Sequence, residues 1–180
     1  MSMIKVLVIN YSDKSGGASR ATYRIYKSLK GKVDIYLYVK DKNYRDKKII
    51  VQNKIICYLN NYLEIILRKI FFFNSKYSHS FNIFPTDCLK VIKKINPDII
   101  QLHWIGMNTI SIKEISNIKK PIIWRLSDIW PLLSTTHYET SLPQKKIDKY
   151  IYYLKKKYFS KHIIFVAPSN WIKNKIKNSN

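Results

Sequence analysis

The stretch Lys5-Val6-Leu7-Val8-Ile9-Asn10 constrains the fold most. It is a short apolar run that stops in turn chemistry, Ser12-Asp13-Lys14-Ser15-Gly16-Gly17. An apolar run without alternation reads as a strand covered on both faces, as strands of parallel sheets are. Ala18, Ala21, Thr22, Ile25 and Leu29 then recur at helical spacing, and Val33, Ile35, Leu37 and Val39 alternate as a second strand. The chain therefore opens as strand, turn, helix, strand, the building unit of an α/β sheet.

The unit recurs. A helical segment near Thr86 to Lys94 precedes a strand over Asp98 to Leu102. Ser111 and Glu114 have capping-box spacing at the start of a further helix. Pro121 to Leu126 reads as a strand, Gln144 to Phe159 as a basic helix, and Ile163 to Val166 as a strand before a helix from about Asn170. Strands separated by helices favour a parallel sheet. The expected fold is α/β, a Rossmann-like, doubly wound, mostly parallel sheet, with residues 1–180 forming one domain.

From Ile55 to Phe73 an apolar stripe of Ile55, Ile56, Leu59, Leu63, Ile66, Leu67 and Ile70 runs along one helix face, with Asn60, Asn61, Glu64 and Arg68 largely off it. The expected arrangement packs that stripe on the sheet. The other reading is a basic amphipathic helix that dips into a membrane surface. The polar interruptions leave no run of 18 apolar residues, which argues against a spanning helix.

Lys and Arg number 33 against 11 Asp and Glu, a formal net charge of +22. Such a charge attracts polyanions and anionic surfaces. An AT-rich coding bias, visible in abundant Lys, Ile, Asn and Tyr, accounts for part of it, and an anionic membrane surface for most of the rest. No nucleic-acid-binding motif accompanies the charge, so no specific nucleic-acid partner is expected. Cys57 and Cys88 have neither metal nor redox spacing and read as free thiols in a reducing compartment. No His, Cys, Asp and Glu set has metal-ligand spacing, so no metal is expected.

Ligands of open parallel sheets bind beyond the carboxyl ends of the strands. Four such ends carry polar and aromatic residues: Ser15-Gly16-Gly17-Ala18 with Arg20, His103-Trp104-Ile105-Gly106, Ser127-Asp128-Ile129-Trp130-Pro131, and Pro168-Ser169-Asn170-Trp171. Gly16 and Gly17 at a helix start let backbone amides approach an anion. The spacing is neither Gly-x-Gly-x-x-Gly nor a P-loop, which excludes the dinucleotide and NTPase readings. His103 suits proton transfer or hydroxyl binding near neutrality. Asp128 suits the same tasks. Trp104 suits stacking on a sugar ring, or core packing. Arg125 is placed either for phosphate or facing inward. His137 and Tyr138 fall in a loop. No nucleophile elbow or Ser-His-Asp ordering is evident.

Taken together these segments resemble the N-terminal half of family 4 glycosyltransferases of the bacterial polysaccharide type. The likeness rests on Val6 to Asn10, Ser15-Gly16-Gly17-Ala18-Ser19-Arg20-Ala21, Asn96-Pro97-Asp98-Ile99-Ile100-Gln101-Leu102-His103-Trp104-Ile105-Gly106, Lys120 to Trp124, Asp128-Ile129-Trp130-Pro131, His137-Tyr138 and Val166 to Trp171. The resemblance implies the acceptor-side half of a GT-B fold, facing a second domain that binds the nucleotide-sugar donor. It implies retaining, metal-independent transfer, without a cofactor, onto a lipid-linked glycan during O-antigen, capsule or exopolysaccharide synthesis. It also implies a cytoplasmic location, peripheral at the inner face of the plasma membrane. On this resemblance Gly16 and Gly17 would face the donor phosphates. His103 and Asp128 would hold acceptor hydroxyls as the catalytic pair. Arg20, Trp104, His137 and Ser169 would contribute to substrate binding; Arg125, where the family has an uncharged residue, and Ser127 are substrate-binding candidates by their place at the strand end.

Three departures matter. Ser127 stands where the family has His. The loop around His137-Tyr138 lacks the cysteine cluster of related chains. The chain stops at Asn180, so the expectation is that the donor-binding domain is missing and, if the enzyme is split, separately encoded. The alternatives are a non-catalytic acceptor- or membrane-binding module, a truncated remnant, and a nonspecific polyanion binder.

Overall fold

A computed structural model describes residues 3–138, 145–159 and 163–179. Its strands are β1 (Lys5–Ser12), β2 (Asp34–Asp41), β3 (Ile49–Val51), β4 (Ile99–Leu102), β5 (Ile122–Arg125) and β6 (Ile163–Val166). Its helices are α1 (Gly16–Leu29), α2 (Lys54–Phe72), α3 (Cys88–Ile95), α4 (Ile112–Ser116), α5 (Lys146–Tyr158) and α6 (Asn170–Lys177). All six strands are parallel, in the order β3-β2-β1-β4-β5-β6. This is the doubly wound order, with its reversal between β1 and β4.

The order dictates where the helices lie. Right-handed crossovers running outward from β1 in opposite directions put their helices on opposite faces. On one face Val6, Val8, Ile35, Leu37, Val39 and Ile49 pack with Tyr26 of α1. On the other, Leu7, Ile9, Ile100, Leu102 and Trp124 pack with isoleucines of α3 to α6. Burying each such side chain contributes about 1.5–3 kcal/mol. The α1 face runs out before β6. The strand register puts Ile164 and Val166 on the α1 side, where they are 61% and 41% exposed.

Local chemistry explains the punctuation. Asn96 ends α3 in the left-handed region (φ 48°), where Asn is tolerated, and its N–H caps Ile92 O; Pro97 then blocks continuation. The capping box at α4 is formed: Ser111 Oγ accepts from Glu114 N, and Glu114 accepts from Ser111 N.

The expected packing of α2 is reversed in the structure. Its buried residues are Asn60 and Glu64, whereas of the apolar stripe Ile55, Leu59, Leu63 and Ile70 are exposed and Ile56, Ile66 and Leu67 are half-buried. Leu67 and Phe72 alone of α2 pack at the margin of the core. The cause lies in the segment after α2. Phe81 and Asn82 are buried outside any helix or strand, so their N–H groups need acceptors. Glu64 supplies them, at 3.2 Å from Phe81 N and 2.9 Å from Asn82 N. Asn60 Nδ2 donates to Pro85 O at 3.0 Å. Burial raises the Glu64 pKa against the pull of these donors.

Candidate functional site

The site begins at the reversal point of the sheet. Asn10, fully buried at the end of β1, ties three elements together. Its Nδ2 donates to Ser12 O and to Ser19 Oγ in α1, and its Oδ1 accepts Trp104 N beyond β4 at 3.0 Å. Ser12 Oγ accepts the N–H groups of Lys14 and Ser15, and Asp13 accepts those of Asn43 and Tyr44. The turn into α1 is therefore fixed. Ser15 gives α1 no side-chain cap, and no acid sits in its first turn. The first amides of α1 remain available to an anion. Gly16 has φ +85°, a conformation that favours glycine.

Beside this turn lies a cleft of about 720 Å³. Gly16, Gly17, Tyr11, Trp104, Arg125, Ser127, Asp128 and Tyr138 border it. Tyr11 and Trp104 meet edge to face, with centroids 5.3 Å apart. Arg125 is half-buried, and no carboxylate pairs with it among the described residues. The cleft thus combines a helix N-terminus, an unpaired guanidinium, an indole wall and a carboxylate. Phosphate, a sugar ring and a hydroxyl are the complementary groups.

Asp128 is held rigidly. Its Oδ2 accepts Trp104 Nε1–H at 2.7 Å and His137 Nδ1–H at 2.6 Å, and its Oδ1 accepts Trp130 N–H at 3.1 Å. His137 Nε2 in turn lies 2.8 Å from Ser80 Oγ, which accepts Met107 N–H at 2.9 Å. With the His137 proton on Nδ1, Ser80 O–H donates to Nε2 and every group in the chain is paired. Ser80, His137 and Asp128 thus form a Ser-His-Asp array that the sequence reading did not find. Ser80 is wholly buried and no acyl substrate reaches its oxygen, so the array positions Asp128 and does not supply a nucleophile. Its loop is braced from below. Lys155, wholly buried, donates to the carbonyls of Trp130, Leu133 and Ser134, and burial pushes its pKa far down.

His103 is also buried, and its pKa falls to about 4 through burial and the nearby Arg125 charge. Its two ring nitrogens and Ser127 Oγ meet no protein partner among the described residues. At neutral pH His103 is uncharged, a hydroxyl donor or acceptor and not a cation.

Of the expected site residues, Gly16, Gly17, Trp104, Arg125, Ser127 and Asp128 border one cleft. His103 is buried at the end of β4, and His137 lies behind Asp128. Arg20 is exposed on α1 outside the cleft lining, and Ser169 caps α6 next to the lining residue Pro168. Asn10, Ser80, Tyr11 and Lys155 were not expected. Among the described residues no group of His, Cys, Asp and Glu has metal-holding geometry, and no helix is long and apolar enough to cross a membrane. No protein-family model, no curated protein and no solved structure matches this chain.

Proposed function

We propose that this chain is the acceptor-side domain of a glycosyltransferase, its cleft holding a sugar that carries phosphate or diphosphate. The observation that carries the reading is the convergence of Gly16-Gly17, Arg125, Trp104, Ser127 and Asp128 on one cleft at the sheet reversal. The α1 amides and Arg125 face the phosphate, Trp104 packs on the sugar ring, and Asp128, next to the lining residue Ser127, engages its hydroxyls. Catalysis in such a site is positioning plus stabilisation of a departing diphosphate. The nucleotide-sugar binds mainly to a second domain, and the acceptor is a lipid-linked glycan of the O-antigen or capsule type. The protein works peripherally at the inner face of the plasma membrane.

The engagement of both Asp128 oxygens by internal donors favours a second reading, an acceptor-binding module without catalysis. Sugar transfer separates the two. Nucleotide-sugars are offered with a lipid-diphosphate acceptor to this chain, alone and mixed with a donor-binding domain. Transfer on mixing supports the enzyme. Acceptor binding without transfer in either mixture supports the module.

A further inference from the structure

We propose that α2 lies in the plane of an anionic lipid surface, with its outward face inserted among the lipids. The inference rests on the reversed packing of this helix. Nineteen residues make a rod about 28 Å long. Its outward face carries Ile55, Tyr58, Leu59, Tyr62, Leu63, Ile65 and Ile70, and Phe73 follows at its end; Ile55, Tyr58, Ile70 and Phe73 are each at least two-thirds exposed. A contiguous apolar face of this extent on a charged protein marks an interaction surface.

The charges choose the occupant. The one acidic residue of α2, Glu64, is turned inward onto Phe81 and Asn82, so the outward face holds no negative charge. Lys54 stands at one end of the helix and Lys69 and Lys76 at the other, all exposed. An apolar strip with lysines at both ends and tyrosines along it matches lipid tails below and anionic headgroups around. A second copy of this chain would bring two charges of +22 together, which opposes self-association through this face. No described helix is long and apolar enough to cross a membrane, so α2 would lie along the surface. The proposal gives a location to the peripheral membrane reading and stands independently of sugar transfer.

The test is co-sedimentation of the 180-residue chain with vesicles of phosphatidylcholine alone and of phosphatidylcholine with phosphatidylglycerol. The expected result is binding to the phosphatidylglycerol vesicles only. Leu59→Glu with Ile70→Glu should weaken it at least ~10-fold, with unfolding temperature unchanged because both residues are exposed. Equal binding by the double variant would overturn the proposal and leave a charge-only attachment elsewhere. No vesicle binding, with concentration-dependent dimers abolished by the same substitutions, would overturn it in favour of a second copy. Phosphosugar binding by the double variant keeps the cleft reading separate from either result.

Discussion

His137 Nδ1 lies 2.6 Å from Asp128 Oδ2, and that oxygen also accepts the indole N–H of Trp104 at 2.7 Å. One carboxylate oxygen therefore fixes both the wall of the cleft and the loop beneath it. Asp128→Ala removes the acceptor of three donors, Trp104 Nε1, His137 Nδ1 and Trp130 N, each costing about 1–3 kcal/mol where it stays buried and unpaired. The expected loss is roughly 2–4 kcal/mol in urea unfolding, with weakened phosphosugar binding. A loss below about 0.5 kcal/mol would mean that the network does not hold in solution.

Gly106 is required by close approach. A Cβ there would lie 2.7 Å from Trp104 Cζ2, 2.8 Å from His137 Cε1 and 3.0 Å from Ser80 Oγ. These atoms belong to rings and to a fully paired hydroxyl, so they have little room to yield. Gly106→Ala should destabilise by about 1–3 kcal/mol and change tryptophan fluorescence, since Trp104 must move. A neutral change in both readouts would contradict the packing.

His103 sets a pH dependence. Its folded pKa of about 4 lies below the ordinary 6.5, through burial first and Arg125 second. The unfolded chain takes up the proton first as pH falls. The stabilisation is therefore complete above about pH 6.5 and is lost on the way down to 4, an effect on the order of 3 kcal/mol for a group this buried. His79, lowered mainly by burial, adds in the same direction. Glu64, raised by burial, opposes both as it becomes protonated. His103→Gln should flatten the fall in unfolding free energy between pH 6.5 and 4, a window set by the His103 values. An unchanged slope would show that His103 is not the group responsible.

The parallel sheet was legible because its signals are local. The runs Lys5 to Asn10, Ile122 to Trp124 and Ile163 to Val166 are short, apolar and bounded by turns. β3 was missed, since a three-residue edge strand leaves almost no pattern. The direction α2 faces was not legible, because it is decided by the distant N–H groups of Phe81 and Asn82 and not by the hydrophobicity of the helix itself. At the site, glycines and strand-end polar residues announced themselves by position. Ser80 and Asn10 did not, because their roles exist only through partners 57 and 94 residues away.

The most direct measurement of the central claim is calorimetric titration of a lipid-diphosphate sugar into the chain and its Gly17→Val variant. Gly17 lies in α1, borders the cleft, and a Cβ there meets nothing within 4 Å. The substitution is therefore free of internal clash and replaces glycine in a helix, so stability should hold or rise slightly. If the ligand sits on the first turn of α1, the added side chain occupies its space, and affinity should fall at least ~10-fold while the unfolding temperature does not. Equal affinity in the two proteins would place the ligand elsewhere and contradict the account.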